Sequence, residues 1–575
     1  MIFSPVTGLI STNKQSELNF VWFSPILFLT KNSQMANMRL KFVRARLQNM
    51  KSYDVAIIGY GPTGAMMASL LGKQGIKTVV VEPNLDIYEI PRAVHYDGEV
   101  MRIFQSQGLH ERIKEAGREP GFISFLNGFN WTLLHQDLSE SDRVHYWANS
   151  TFFSQPQLEK YLRETVDDCD SVDQFLGWQL EEFHEDSSGV TLKITDINGS
   201  EAQHVRCSYL LGCDGASSST RELGGFGLQD LGCDEPWLVC DLILDKSIQI
   251  KDEAYQICDP TRPTSLIPCE PGHIRWEFML NDTDDHGDIE DEDNVRALMA
   301  PHIGRLNSQL NERDGSLIRA KVYRFHALLA DQFKKGRVFL LGDAAHQMPP
   351  FLGQGLCSGI RDAYNLNWKL AGVLSGQWDA RILDSYHSER RHHVEEVIKL
   401  AITHGDIIQT RNPLKALARD LFLMLGRLLP VLVSSIKFGQ QWRLGDGIFA
   451  QDPRSLDRYM LRQSMVTLNN GDCVLLDSLL DNEFSVVGFN IDLAPLLSQQ
   501  NTDFLQTPVT GFNLGDQGQG IDKEGLLQRW AEDNNVALAL LRPDRQIYGL
   551  CYKDSSESLK DQLGKLIDQL KIQLT

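Results

Sequence analysis

The chain has 575 residues, 42% of them hydrophobic and 23% charged, the balance of an ordinary globular protein of about three or four domains. Its 76 Asp and Glu against 56 Lys and Arg leave a net charge of -20, which repels a phosphate backbone and argues against nucleic acid as a partner. The ten scattered cysteines include no Cys-x-x-Cys pair, which argues against a zinc knuckle or dithiol centre and reads as reduced core thiols in a cytoplasmic protein.

Within residues 1–50, the apolar run from Leu18 to Lys31 is broken by Pro25 and is shorter than the roughly 20 residues a membrane span needs. Basic residues Arg39, Lys41, Arg44 and Arg46 follow it, the reverse of a secretory signal. The stretch reads as an extension outside the fold, with a targeting segment as the lesser reading.

From Tyr53 to Pro83, the apolar run Val55 to Ile58 ends in Gly59-Tyr60-Gly61-Pro62-Thr63-Gly64. A helix with Met66, Leu70 and Leu71 inside follows, Gly75 stops it, and "KTVVVE" resumes a buried strand. This predicts a β-α-β unit with parallel strands. Gly59 suits the tight turn, Gly61 lets the backbone approach a pyrophosphate, and Gly64 lets helix and strand pack closely. Pro62 stands at the helix start, where free N–H groups and the positive dipole end face phosphates. Glu82 closes the next strand, where a carboxylate accepts from an adenosine ribose hydroxyl.

Alternation from Val190 to Leu211 predicts an antiparallel hairpin returning to the core. It leads into "LLGCDGASSSTR", where Asp214 ends a strand; taken singly, Asp214 reads best as a cap on the helix that follows. Alternating pieces between Leu238 and Phe325, among them "IRWEFML", predict a second, sheet-based domain at about residues 225–330. Its acidic run "NDTDDHGDIEDED" lacks the spaced ligands of a calcium loop and reads as solvated. After the strand "RVFLLG" comes "GDAAHQMPPFLGQG", Gly342 to Gly355. Gly342 and Asp343 follow the strand, and Gly353-Gln354-Gly355 opens a helix whose N–H groups suit negative charge.

That helix carries Leu356, Ile360, Ala363, Leu366 and Leu370 at helical spacing, and a charged helix "SYHSERRHHVEEVIKLAITHG" follows. His392 and His393 lack partners at metal-binding spacing, and no metal is expected. The run "LFLMLGRLLPVLVSSI", broken by Gly426 and Pro430, is expected to be a buried connector within residues 396–450. A separate module, residues 451–575, is expected to have strands in "DCVLLDSLL", "EFSVVGFN" and "VALALLRPDRQIYG" and an amphipathic last helix.

The order Gly-x-Gly-x-x-Gly, "DGASSSTR", then "GDAAHQMPPFLGQG" with "RDAYNLNWKLA" resembles the single-component FAD-dependent aromatic hydroxylases of the p-hydroxybenzoate hydroxylase type. "PRAVHYDGEVMRIFQSQGL", "FFSQPQLEKYLRE", "RWEFML", "SYHSERR" and "RPDRQIYG" bring it nearest the 3-(3-hydroxyphenyl)propionate and phenol hydroxylase branch and extend the resemblance over about residues 52–553. The resemblance implies an α/β fold: a Rossmann-like FAD-binding domain, residues 51–395, interleaved with a β-sheet substrate domain, and a thioredoxin-like C-terminal domain. Without a Cys-x-x-Cys, that last domain is expected to serve packing or dimer contact.

The implied cofactors are non-covalent FAD and NADH or NADPH. By the same resemblance Gly59, Gly61, Pro62, Gly64 and Glu82 hold the ADP half, Gly342 and Asp343 the ribityl region, and Gly353 and Gly355 the pyrimidine edge. Arg92 and Pro350 are the residues expected nearest the chemistry. Arg92 lies at the pyrophosphate or guides the nicotinamide donor, and Pro350 lines the space where flavin, oxygen and substrate meet. Gln155 contacts the flavin and Asp214 lies by the cofactor and donor path. The implied activity is transfer of one oxygen of O2 to a phenolic acid such as 3-(3-hydroxyphenyl)propionate or 3-hydroxycinnamate, ortho to its hydroxyl. His95, Tyr96, His135 and His346 are candidates to assist phenol deprotonation. A tailoring hydroxylase of a polycyclic metabolite, or a flavoprotein reductase that does not hydroxylate, shares these motifs. The Trp-x-Trp-x-Ile segment of a flavin halogenase is absent from the early chain.

Overall fold

A computed structural model describes residues 50–575, apart from 140–142, 286, 430–440, 501, 506–508 and 517. The N-terminal run and the later part of the expected connector therefore lie outside the described residues. The apolar run Lys51–Ile58 forms strand β1, helix α1 spans Pro62–Lys73, and Thr78–Glu82 forms β2. Gly75, at a φ of 70°, makes the left-handed turn that ends the helix. Val55, Ile57, Val79 and Val80 are wholly buried, as in a parallel strand covered on both faces.

Further along come β3 (Phe122–Asn127), β4 (Thr132–Asp137), α2 (Gln155–Asp167), β5 (Val172–Leu176) and β6 (Ala202–Gly212). They are followed by β7 (Leu228–Ile243), β8 (Glu253–Cys258), β9 (Thr264–Pro268), β10 (His273–Met279), β11 (Ser316–Ala330) and β12 (Val338–Leu340). The expected hairpin pairs Gly189–Asp196 against the first half of β6.

The second half of β6 then enters a parallel sheet of order β12-β6-β1-β2-β5. Ile58 lies opposite both Gly212 and Val81, and Gly212 lies opposite Leu340. Four strands widely separated in the chain thus end at one level. Whatever follows each of them converges on one crevice, where ligands of open α/β sheets bind.

The second sheet runs β11-β7-β10-β9-β8-β3-β4. It is not confined to the 225–330 span, because β3 pairs in parallel with β8, Phe122 opposite Glu253, and brings β4 with it. One face packs Leu238, Leu266, Trp276 and Phe278 into a core with the helix Glu292–Ile303. The other face looks toward the crevice.

Helices α3 (Gly355–Leu374) and α4 (Asp384–Ile408) follow. The charges of α4 turn inward: Glu389 pairs with Lys369 of α3 at 2.8 Å and with Arg542 at 3.0 Å, all three side chains fully buried. Arg542 lies in the turn between strands Val536–Leu541 and Ile547–Tyr552 of the last, seven-stranded sheet. This network ties the C-terminal module to α3. The terminal helix Leu559–Leu574 packs through Leu563, Ile567 and Leu570.

One expectation is overturned. Helix α5, Pro413–Leu428, carries the first half of the leucine-rich run, yet Leu414, Leu417, Leu421, Phe422, Leu425 and Leu428 are exposed. It is no buried connector over this length, because only a narrow face with Ala416, Leu423 and Gly426 packs inward. Polar contacts fix that face, from Asn127 to Asp420 and from Arg427 to the Thr132 carbonyl. Among the described residues no helix is long and apolar enough to cross a membrane.

Candidate active site

The ends of β1, β2, β6 and β12 border a cavity of about 860 Å³, closed on its far side by the second sheet. Gly59, at a φ of 97°, turns the chain off β1, and a Cβ there would sit 2.4 Å from the Cys213 carbonyl oxygen. Gly64 packs behind it, where a Cβ would lie 2.1 Å from the Gly59 carbonyl oxygen. Gly61 is different: its φ is -71°, and an added Cβ would meet nothing within 4 Å. The space in front of it is the cavity itself.

Helix α1 starts here with Pro62 in its first turn and no side-chain cap among the described residues, so its first N–H groups are left for an anion. Glu82 accepts from the Tyr60 N–H at 2.8 Å and from the Asn84 side chain at 2.6 Å, holding the glycine turn while facing the cavity. Arg163 of α2, which sequence reasoning missed, borders the same end and donates to the Tyr60 carbonyl at 2.9 Å.

Beside the start of α1, where an added Cβ would lie 2.8 Å from the Thr63 hydroxyl, Gly342 adopts a φ of 59° and donates its N–H to Asp362 at 3.0 Å. That turn sends Asp343 into the cavity, where its carboxylate has no hydrogen-bond partner among the described residues. Although Asp343 is exposed to the cavity, desolvation by the surrounding protein raises its carboxyl above the ordinary aspartate value, with His346 and Arg92 opposing. Gly353, at a φ of 64°, leads into α3, which also begins without a side-chain cap. Pro350, Gly353 and Gly355 line the cavity.

Gln155 accepts from the Ala93 N–H at 2.7 Å and donates to Glu159 at 2.8 Å. The Arg92 guanidinium lies over the Tyr88 ring, 5.0 Å from its centroid, at the cavity edge. Asp214 borders the cavity too; the short helix Ser219–Leu223 is capped by Ser218, whose hydroxyl accepts from the Arg221 N–H at 3.0 Å, while the Asp214 carboxylate accepts from the Thr220 N–H at 2.9 Å and from the hydroxyls of Ser218, Ser219 and Thr220. The cap expected of Asp214 thus falls to Ser218, and Asp214 satisfies one further first-turn N–H behind it.

The four deprotonation candidates separate. His346 is bonded to Asp362 at 2.7 Å, and Asp362 also pairs with Arg390, all behind the Gly342 turn. Tyr96 is buried away from the cavity, and His135 bonds Ser124 at 2.8 Å and stacks on Phe122. His95 lines the cavity beside the Gly353 carbonyl, and burial lowers its pKa.

The far wall presents Ile123, Val239, Ile267, Phe325 and Phe351, a surface for an apolar ring. Set into it is a charged group that the sequence reading did not single out. Asp241 of β7 accepts from His273 at 2.8 Å and Arg275 at 2.9 Å, and Arg319 of β11 lies 2.8 Å away. Burial opposes its charge, yet His273, Arg275 and Arg319 hold the Asp241 carboxyl at about 2. Arg275 reaches onward to the carbonyls of Pro91 and Arg92 at 2.5 and 2.7 Å, so the substrate sheet fixes the segment that carries Arg92. The signal lay in "HIRWEFM", whose charged residues alternate with Ile274, Trp276 and Phe278 on a strand buried on both faces.

The described residues fit a flavin dinucleotide. An open glycine and an uncapped helix suit a pyrophosphate, Asp343 offers an unpartnered acceptor for hydroxyls, and a second uncapped helix suits a ring edge gaining negative charge. Among the described residues no cluster of His, Cys, Asp or Glu is placed to hold a metal ion.

Comparison with known proteins agrees with this geometry. The family model for the FAD binding domain matches residues 52–401, and that for the HcaD C-terminal domain matches residues 459–566. A probable NADH-specific resorcinol 4-hydroxylase from Rhodococcus jostii (strain RHA1) is 32% identical over 516 residues, covering 88% of this chain and 93% of the relative. A 3-(3-hydroxy-phenyl)propionate/3-hydroxycinnamic acid hydroxylase from Burkholderia cenocepacia (strain HI2424) is 30% identical over 525 residues, 87% and 94% of the two chains. Among solved structures, the flavin-dependent monooxygenase PieE in complex with FAD and substrate superposes with a TM-score of 0.73 at 20% identity, covering 90% of this chain and 99% of that one. Aklavinone-11 hydroxylase with FAD and aklavinone gives 0.73 at 19% identity, over 91% and 100%. At these identities the structural likeness speaks for the fold alone.

Proposed function

The chain belongs to the FAD-binding-domain family as an FAD-dependent aromatic hydroxylase, and from that premise we propose that it uses NADH or NADPH and O2 to hydroxylate a phenolic acid of the 3-(3-hydroxyphenyl)propionate or 3-hydroxycinnamate type, ortho to its hydroxyl. The observation that carries the reading is the single cavity in which a dinucleotide-shaped end, with Gly61 and Asp343, meets an apolar wall with a buried polar set. The resorcinol-hydroxylating relative makes a neutral dihydroxybenzene the second substrate class.

FAD, when bound, supplies the redox and oxygen-transferring chemistry. The chain supplies binding, orientation and exclusion of water. Gly59, Gly61, Gly64 and the start of α1 would hold the pyrophosphate, Pro62 would shape that turn, and Glu82 would take a ribose hydroxyl. The Gly342 turn sends Asp343 into the cavity, where it would take the ribityl hydroxyls, while Gly353, Gly355 and the start of α3 would stabilise negative charge at the ring edge. Gln155 and Arg92 would steady the cofactor and the nicotinamide donor, and Asp214 would shape the donor path by keeping its helix in place. Pro350, Phe351 and Phe325 would close the reaction space against water. The reading extends to a cytoplasmic enzyme of aromatic catabolism that acts without membrane or nucleic acid, with a homodimer as its assembly.

The test is oxidation of NADH and of NADPH by the FAD-loaded protein with a panel of phenolic acids, resorcinol and polycyclic phenols, scoring product as well as rate. A catechol product from 3-(3-hydroxyphenyl)propionate supports the reading. Product from resorcinol or from polycyclic phenols alone moves the substrate class. Oxidation without any product refutes hydroxylation.

A further inference from the structure

Alternation along β10 places Arg275 and Glu277 on the face toward the cavity. Arg275 spends its donors on Asp241 and on the Pro91 and Arg92 carbonyls. Glu277 lies opposite Val239 of β7 and Ser265 of β9, lines the cavity, and is only 8% exposed. Its carboxyl has neither hydrogen bond nor ion pair among the described residues. Its oxygens are open to the cavity, and a carboxylate so largely withdrawn from water is as a rule paired. The missing partner belongs on the cavity side, where the neighbouring surfaces of Val239, Ile267 and Phe325 suit an aromatic ring.

Resting on the hydroxylase reading above, we propose that Glu277 accepts the hydrogen bond of the substrate's ring hydroxyl and takes its proton as the ring is attacked. The ring O–H bond breaks, an O–H bond forms on the Glu277 carboxylate, and the electron pair stays on the ring oxygen. That pair raises electron density at the ortho and para carbons, one of which bonds one oxygen of O2 as the O–O bond breaks, while NADH or NADPH supplies the two electrons and the second oxygen leaves as water. As the ring regains aromaticity its carbon-bound proton leaves to water, and Glu277 returns its own to the ring oxygen.

The charged groups facing Glu277 are Arg275 on its own strand, Asp241 on β7 and Arg319 on β11. Burial raises its carboxyl above the ordinary glutamate value, with Asp241 acting in the same direction and Arg275 and Arg319 against it. A proton acceptor must be ionised to act, so turnover rises with pH through this raised value, and an acidic limb appears above the usual glutamate range.

The experiment compares kcat against pH for FAD-loaded wild type, Glu277→Gln and Glu277→Asp, with 3-(3-hydroxyphenyl)propionate and resorcinol and product quantified. Alongside it, wild type is titrated with 3-(3-hydroxyphenyl)propionate and its methyl ether, followed by flavin absorbance. Glu277→Gln is expected to lose product formation at least about 100-fold together with the acidic limb, while Glu277→Asp keeps the limb. Wild type is expected to bind the hydroxyl compound at least about 10-fold more tightly than the ether, a readout that needs no variant to fold. Glu277→Gln with an unchanged rate and limb, or wild type binding the methyl ether as tightly as the hydroxyl compound, overturns the assignment and leaves the hydroxylase reading standing. No product from wild type with any phenol overturns the hydroxylase reading and the assignment with it.

Discussion

Replacing Gly61 with alanine separates cofactor binding from folding, because the two glycines flanking the same turn meet different surroundings. At Gly61 the backbone φ is -71°, which alanine adopts freely, and the new Cβ would have no neighbour within 4 Å. The apoprotein is therefore expected to change by no more than about 1 kcal/mol, because a less flexible unfolded chain is worth about 0.4–1 kcal/mol and alanine is a poorer helix N-cap than glycine by a similar amount. The same methyl group occupies the approach to the first-turn N–H groups of α1. Loss of one hydrogen bond to a charged phosphate, about 1.5–3 kcal/mol, corresponds to roughly 10- to 100-fold weaker FAD binding. Gly64→Ala makes the contrast: its Cβ would lie 2.1 Å from the Gly59 carbonyl oxygen, so the helix must shift, at a cost of about 1–3 kcal/mol or more. Urea unfolding of the apoproteins and FAD titration by fluorescence quenching measure both quantities. A Gly61→Ala protein that is destabilised by several kcal/mol, or that binds FAD like wild type, refutes the assignment of this glycine to cofactor approach.

Asp343→Ala is expected to weaken FAD about 10-fold in the same titration and to leave apoprotein stability nearly unchanged, since no hydrogen-bond partner among the described residues is orphaned. Glu389→Gln should cost about 3–5 kcal/mol in urea unfolding, because Lys369 and Arg542 stay buried and charged beside a neutral amide. Burial opposes the charge of Glu389, yet Arg542 and Lys369 hold its carboxyl at about 2, below the unfolded value of 4.5. Its stabilisation is thus present above about pH 4.5 and is lost as pH falls toward about 2, and the melting temperature of Glu389→Gln should fall less steeply across that window. Leu421→Lys on the exposed face of α5 should change stability by no more than about 0.5 kcal/mol, whereas a buried leucine would lose several kcal/mol.

Much of the cofactor end was legible because its determinants are local. A glycine needing a φ of 97°, a helix opening on Pro62 and an acid closing the next strand are properties of about thirty consecutive residues. Asp214 shows the limit of that logic. Its strand-end position was readable, but the hydrogen bond from Thr220 and the border on the cavity are both true of it, and only the folded structure apportions them. The leucines of α5 show the opposite error: apolar periodicity marks a helix face, while burial of that face depends on whether another element covers it.

By itself the sequence determined the β-α-β unit, the strand-to-turn positions of Glu82, Asp214 and Asp343, and the start of the helix after Gly355, since short-range sterics and backbone hydrogen bonding dictate each of them. Only the tertiary structure decided that β12, β6, β1 and β2 end at one level, that Arg275 grips the Arg92 segment, and that Glu277 faces the cavity without a partner. Those facts depend on the register between strands more than a hundred residues apart, as Ile58 with Gly212 and Gly212 with Leu340, and on which sheet face meets which crevice, pairings that leave no trace in local spacing.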